Sequence, residues 1–87
     1  SMKLKVGFVT HMFDDTQVLI GTEEVSFKGI VNSNKTAAFI VDCLKADTSE
    51  SKIIDKMLEK YDADRAVIEE DVHMIIQKLQ SIGALDE

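Results

Sequence analysis

Apolar residues along this chain keep two rhythms. Up to residue 31 they come in short runs or alternate with polar residues, and from residue 37 onward they recur three and four positions apart. The first rhythm belongs to strands and the second to amphipathic helices. Phe8-Val9-Thr10-His11-Met12-Phe13 is rich in β-formers, Asp14-Asp15-Thr16 is a turn signal, and Gln17-Val18-Leu19-Ile20-Gly21 follows, so the pair reads as a hairpin. Thr22-Glu23-Glu24 is a second polar turn. Val25-Ser26-Phe27-Lys28 then alternates with period two, Gly29 interrupts it, and Ile30-Val31 resumes the apolar run as a third strand.

Asn32-Ser33-Asn34 ends that strand and supplies side chains that accept hydrogen bonds from a first helical turn. The first helix carries Ala37, Ile40, Val41 and Leu44 at helical spacing. Asp47-Thr48-Ser49 breaks it and offers the next N-cap, and the second helix is read from Ile53, Ile54, Met57, Leu58 and Tyr61. Asp62-Ala63-Asp64 caps a third, whose stripe is Ile68, Val72, Ile75, Leu79 and Ile82, with Gly83 where a left-handed closing residue belongs. The order β-β-β-α-α-α predicts an α+β fold, winged helix-turn-helix-like, with a three-stranded antiparallel sheet followed by three helices.

Composition narrows the class. The chain has 87 residues, which predicts one domain spanning 1–87. Ser1 ahead of Met2 looks like the remnant of a cleaved tag and is left out of the fold reading. No apolar run approaches the ~18–20 residues that span a bilayer, and the lone Cys43 permits neither an internal disulfide nor a multi-cysteine zinc site. The expectation is a soluble cytoplasmic domain with no membrane partner. Charge is uneven: residues 1–45 carry five lysines and five acids, whereas residues 46–87 carry five bases and eleven acids. That acidic half repels a phosphate backbone, which argues against nucleic acid.

Candidate chemistry is sparse. His11 and His73 are the two histidines, with no His-Glu-x-x-His spacing and no glycine-rich phosphate loop. His73 follows Glu70 by three residues and could meet it on a helix face, but reads as an exposed helix histidine. Cys43 reads as a small buried apolar residue, since no base or anion hole accompanies it. Glu69-Glu70-Asp71 reads as a solvated helix face, because consecutive helical residues diverge. No catalytic residue, metal ligand or cofactor site emerges. The third strand is more informative, because a small open sheet has edges, and an edge accepts a strand from a partner unless a helix or a lysine blunts it.

Three stretches then carry a pattern: Val18-Leu19-Ile20-Gly21, Val25-Ser26-Phe27-Lys28-Gly29-Ile30-Val31, and Asn34-Lys35-Thr36-Ala37-Ala38-Phe39-Ile40. With Leu58-Glu59-Lys60-Tyr61-Asp62, the Asp71-Val72 step and the closing Leu79-Gln80-Ser81-Ile82-Gly83-Ala84-Leu85, the chain resembles the PqqD family across roughly residues 8–85. Two positions depart from it: Ser33 stands where leucine is usual and Val41 where tryptophan is common.

The resemblance implies a winged-helix-like domain that is not an enzyme. Such domains bind the leader segment of a ribosomally made precursor peptide and present it to a modifying enzyme, often a radical S-adenosylmethionine enzyme. The leader is held as an added strand on the third strand beside the third helix. On this sequence that implies Phe27, Lys28, Gly29, Ile30, Val31 and Asn32 on the strand, and Val67, Asp71, Met74 and Lys78 on the helix wall. Val67 and Met74 read equally well as a second core row. Two other readings stay open, a winged-helix DNA-binding protein and a generic protein-interaction adaptor. An open edge would also let two copies pair or swap a strand into a homodimer.

Overall fold

The two rhythms separate cleanly in the computed structural model, which describes residues 1–14, 16–21, 30–32 and 35–87. The elements are β1 (Lys3–Leu4), β2 (Phe8–Phe13), β3 (Thr16–Gly21), β4 (Ile30–Asn32), α1 (Lys35–Cys43), α2 (Glu50–Lys60), α3 (Arg65–Ser81) and β5 (Leu85–Asp86). The expected three-stranded antiparallel sheet is present in the order β2-β3-β4. Phe13 pairs directly with Thr16, and Asp14 has φ 56°, in the left-handed region that tight hairpin turns demand and aspartate tolerates. β3 lies in the middle, with Gln17 and Leu19 buried and Val18 and Ile20 half-buried. The buried Gln17 amide donates to Asp42 Oδ1 at 2.9 Å, which ties the sheet to α1.

The sequence pattern missed a second ladder. β1 pairs antiparallel with β5, Lys3 opposite Asp86 and Leu4 opposite Leu85, so the strand order is β-β-β-β-α-α-α-β rather than β-β-β-α-α-α. Met2 extends this lock: it is buried and exchanges backbone bonds with Thr48 at 2.7 and 2.8 Å. A two-residue strand shows no period, so no hydrophobic pattern could announce it.

The helix ends follow the local chemistry. Ser49 caps α2, its hydroxyl accepting from the Lys52 N–H at 3.2 Å. Asp64 occupies the N-cap position of α3 without a side-chain hydrogen bond. Gly83 closes α3 with φ 72°, its N–H donating to the Gln80 carbonyl at 3.0 Å while the Ala84 N–H donates to Leu79 at 2.9 Å. Those two bonds make a Schellman closure. The expected cap at Ser33 and Asn34 lies outside the described residues, as do the polar turn 22–24 and the first part of the third strand, 25–29.

Leu19, Ile40, Val41, Leu44, Ile53, Met57, Val72 and Leu79 form the most deeply buried part of the core. Two positions of the α3 stripe differ from expectation, since Ile75 and the C-cap residue Ile82 are only partly buried. Ile76 is 3% exposed and belongs to the core, whereas Ile75 is only partly buried. Ile76 follows His73 by one turn, on the flank where His73 meets Glu50 of α2, and Ile75 lines an opening toward α1. In the middle of α1, the half-buried Phe39 meets Tyr61 edge-on with ring centroids 6.1 Å apart, and the Lys60 ammonium lies 5.2 Å from the Phe39 ring centre.

Candidate functional site

Ile30, Val31 and Asn32 make up β4. They pair with Leu19, Val18 and Gln17 of β3, and among the described residues β4 has no strand on its other side. An edge strand of this kind offers outward N–H and C=O groups to any extended chain that approaches. Phe27, Lys28 and Gly29 lie outside the described residues. α1 starts three residues after β4 and contacts both β4 and α3, which places the sheet edge and the helix pair in one continuous region.

The four helix-wall candidates share one flank of α3. Val67, Asp71, Met74 and Lys78 are all exposed, Val67 at 52% and Met74 at 58%. The alternative that Val67 and Met74 form a second core row is therefore set aside: the core row of α3 is Ile68, Val72, Ile76 and Leu79, and Val67 and Met74 stand exposed beside it. Exposed large apolar side chains in adjoining turns of one helix are a surface suited to contact.

Next to that flank α1 and α3 part to leave a cavity of about 160 Å³. Thr36, Ala37 and Ile40 line it from α1, and Asp71, Met74 and Ile75 from α3. Of these, sequence reasoning had singled out only Asp71 and Met74 for binding. The α1 wall was missed, although Thr36 and Ala37 lie inside the resembling stretch and Ile40 was assigned wholly to the core. The available signal was the small size of Ala37 and Thr36, which keeps α1 from filling the space against α3.

Other chemical candidates are dispersed. His73 is exposed, as expected, but its Nδ1 lies 3.5 Å from Glu50 of α2, so its partner is on a neighbouring helix rather than at Glu70. Glu69 is held by Arg65 at 3.0 Å, which separates it from Glu70 and Asp71 as a unit. His11 is exposed on β2. Cys43 is half-buried, and burial above all pushes its thiol up from the ordinary 9.0, opposed by Lys56 and reinforced by Asp42. A protonated thiol is the reverse of what a nucleophile needs. Among the described residues no three or more His, Cys, Asp or Glu side chains gather where a metal could be held. No helix of the described residues is long and apolar enough to cross a membrane. The start of α3, the segment a DNA-reading helix would insert, exposes Asp64, Glu69, Glu70 and Asp71 against one arginine, Arg65. Major-groove readers present Arg, Lys, Asn or Gln there.

Comparison with known proteins adds three findings. The family model described as "Coenzyme PQQ synthesis protein D (PqqD)" matches residues 17–85. No curated protein matches the chain. Two solved structures are similar in fold. One, "Lasso peptide synthetase B1 complexed with the leader peptide", is 22% identical with a TM-score of 0.77, covering 99% of this chain and 98% of that one. The other, "TbiB1 in Complex with the TbiA(beta) Leader Peptide", is 21% identical with a TM-score of 0.75, covering 97% of this chain and 94% of that one.

Proposed function

Since the chain belongs to the PqqD family, we propose that it is a non-catalytic binding domain for the leader segment of a ribosomally made precursor peptide. It holds the leader as an added strand and presents it to a modifying enzyme. The resemblance makes a radical S-adenosylmethionine enzyme the expected partner. The observation that carries this reading is the position of β4, which pairs with β3 on one side and has no strand on the other among the described residues. Main-chain bonds to that edge would supply affinity regardless of sequence, and side-chain pockets beside it would supply choice. The cavity between α1 and α3 is such a pocket. Cavities of about 150 Å³ admit benzene, so one leucine- or phenylalanine-sized side chain fits. Both fold neighbours are described as leader-peptide complexes, which supports the same reading.

The first test is an amide NMR titration of the labelled domain with the leader of the short peptide encoded beside it. Shifts are expected at Ile30–Asn32 and along Val67–Lys78. A micromolar complex corresponds to about 8 kcal/mol. The second test is proline at Ile30 and, separately, at Val31. In an edge strand consecutive N–H groups point alternately to the neighbouring strand and outward. One of these prolines therefore removes an outward donor while leaving the β3 ladder intact, and that variant should stay folded and lose the leader. Folded variants at both positions with undiminished affinity would exclude strand addition.

A further inference from the structure

We propose, resting on the leader-binding reading, that Asp71 and Lys78 select the leader by charge. The preferred segment carries a cationic residue, an apolar anchor and an anionic residue at alternate positions, the cation seated at Asp71 and the anion at Lys78.

Both side chains are exposed, and neither forms an ion pair among the described residues. That sets them apart from Arg65 and Glu69, which pair with each other on the opposite flank of the same helix, and from His73 there, which faces Glu50 of α2 at 3.5 Å. Asp71 is also a lining residue of the cavity, and Met74 lies between it and Lys78 along the wall. At 1.5 Å per residue the seven positions from Asp71 to Lys78 span about 10 Å of helix axis. In an extended peptide, residues i and i+4 point to one face and lie about 13 Å apart, with i+2 midway. Two flexible side chains absorb the difference. A peptide lying along α3 thus sets one apolar residue over the cavity and one charge at each end. Among the described residues the other cation near the cavity, Lys35, does not disturb this pattern. By helical spacing it falls on the face of α1 away from Thr36 and Ile40, which line the cavity.

The wall is therefore acidic at one end and basic at the other, although residues 46–87 together carry a net charge of −6 from five bases and eleven acids. Bulk charge would favour any basic peptide. The local pattern favours a peptide with charges of both signs in a fixed order, and rejects the inverted order by like-charge contact at both ends.

The test is selection from a random twelve-residue peptide library, run in parallel with the unaltered domain and with the double variant Asp71→Lys, Lys78→Glu. Both positions are exposed, and a thermal melt checks that the variant folds. The unaltered domain should enrich peptides with a Leu-, Met- or Phe-like anchor between a Lys or Arg and an Asp or Glu, with one order of signs predominating. The double variant should enrich the opposite order. Resynthesised peptides of the two orders should differ by about threefold to tenfold in Kd, with the preference reversed between the two proteins. If the double variant does not fold, the neutral variants Asp71→Asn and Lys78→Gln should each abolish the bias at one end. Enriched peptides with an anchor but no charge order, or the same order from both proteins, would overturn the charge selection and leave leader binding standing. No enrichment by either protein would overturn leader binding and this inference with it.

Discussion

One flank of α3 faces α2 and the other faces α1, and the two are finished differently. On the α2 side Ile76 is buried, His73 reaches Glu50 at 3.5 Å and Arg65 holds Glu69 at 3.0 Å. On the α1 side Ile75 is only partly covered, Val67 and Met74 stand in solvent, and a cavity of about 160 Å³ remains open. Both flanks adjoin the same core row. A flank that served stability alone would bury its apolar side chains or replace them with polar ones. The α1 flank does neither, and its apolar residues are free to be buried by something else.

The sharpest break of this comparison is a pair of truncations. Leu79, 2% exposed in the core row, should cost about 2–5 kcal/mol when replaced by alanine, because the hole left behind cannot collapse fully. Met74, 58% exposed, should cost no more than about 0.5 kcal/mol in Met74→Ala. Binding of the leader should show the opposite order, with the folded fraction of Leu79→Ala retaining its affinity and Met74→Ala losing several-fold. Urea denaturation and a Kd measurement on each variant check the two axes. A Met74→Ala domain as destabilised as Leu79→Ala would mean that the α1 flank is core after all.

Local chemistry made much of this legible in the sequence. Ser49 ahead of the apolar row of α2, Gly83 after the last turn of α3, and Asp14 in the hairpin are each fixed by neighbours within a few residues, and each took the predicted role. What depended on distant pairing was not legible. Leu4 meets Leu85 across the whole chain, and neither two-residue strand has a period to reveal it. The choice of Ile76 over Ile75 depends on which side of α3 receives α2, and helical spacing alone leaves both on the inner half. The cavity had the same problem: its α1 wall consists of Thr36, Ala37 and Ile40, residues that a pattern reading assigns to core or surface but not to the rim between them. The helix-wall residues were named through the family resemblance, not through spacing.

A middle-sized effect separates helix ends from helix flanks. Ser49→Ala should lower stability by about 1 kcal/mol, since the Lys52 N–H loses its acceptor. Gly83→Ala should cost a comparable ~1 kcal/mol, through the left-handed backbone alone, because an added Cβ meets nothing within 4 Å. Neither change should alter leader affinity, as both lie outside the α1 flank and the β4 edge. An affinity loss in either variant at matched folded fraction would show that the groove is sensitive to the whole helix frame, and would blur the division between supporting and binding surfaces.

The smallest effect concerns α1, which shows the same division along its length. Thr36, Ala37 and Ile40 line the cavity, while Cys43, one turn further on, is half-buried and within the field of Lys56 on α2. Burial raises its thiol above 9.0, with Lys56 pulling it down and Asp42 pushing it up. The sign for stability follows. At pH values well below 9.0 the thiol is protonated in both folded and unfolded chains and adds no slope. As pH rises through that value the unfolded chain loses the proton first, so the folded state loses stability until its own higher value is passed. The unaltered domain should therefore lose slightly more stability above pH 9.0 than Cys43→Ala, once their difference at neutral pH is subtracted. Lys56→Gln should steepen that loss, because it removes a charge that favours the thiolate. Parallel stability curves for all three proteins between pH 7 and 10 would instead mean that Cys43 is solvated, and that this end of α1 is no more closed than the groove at the other.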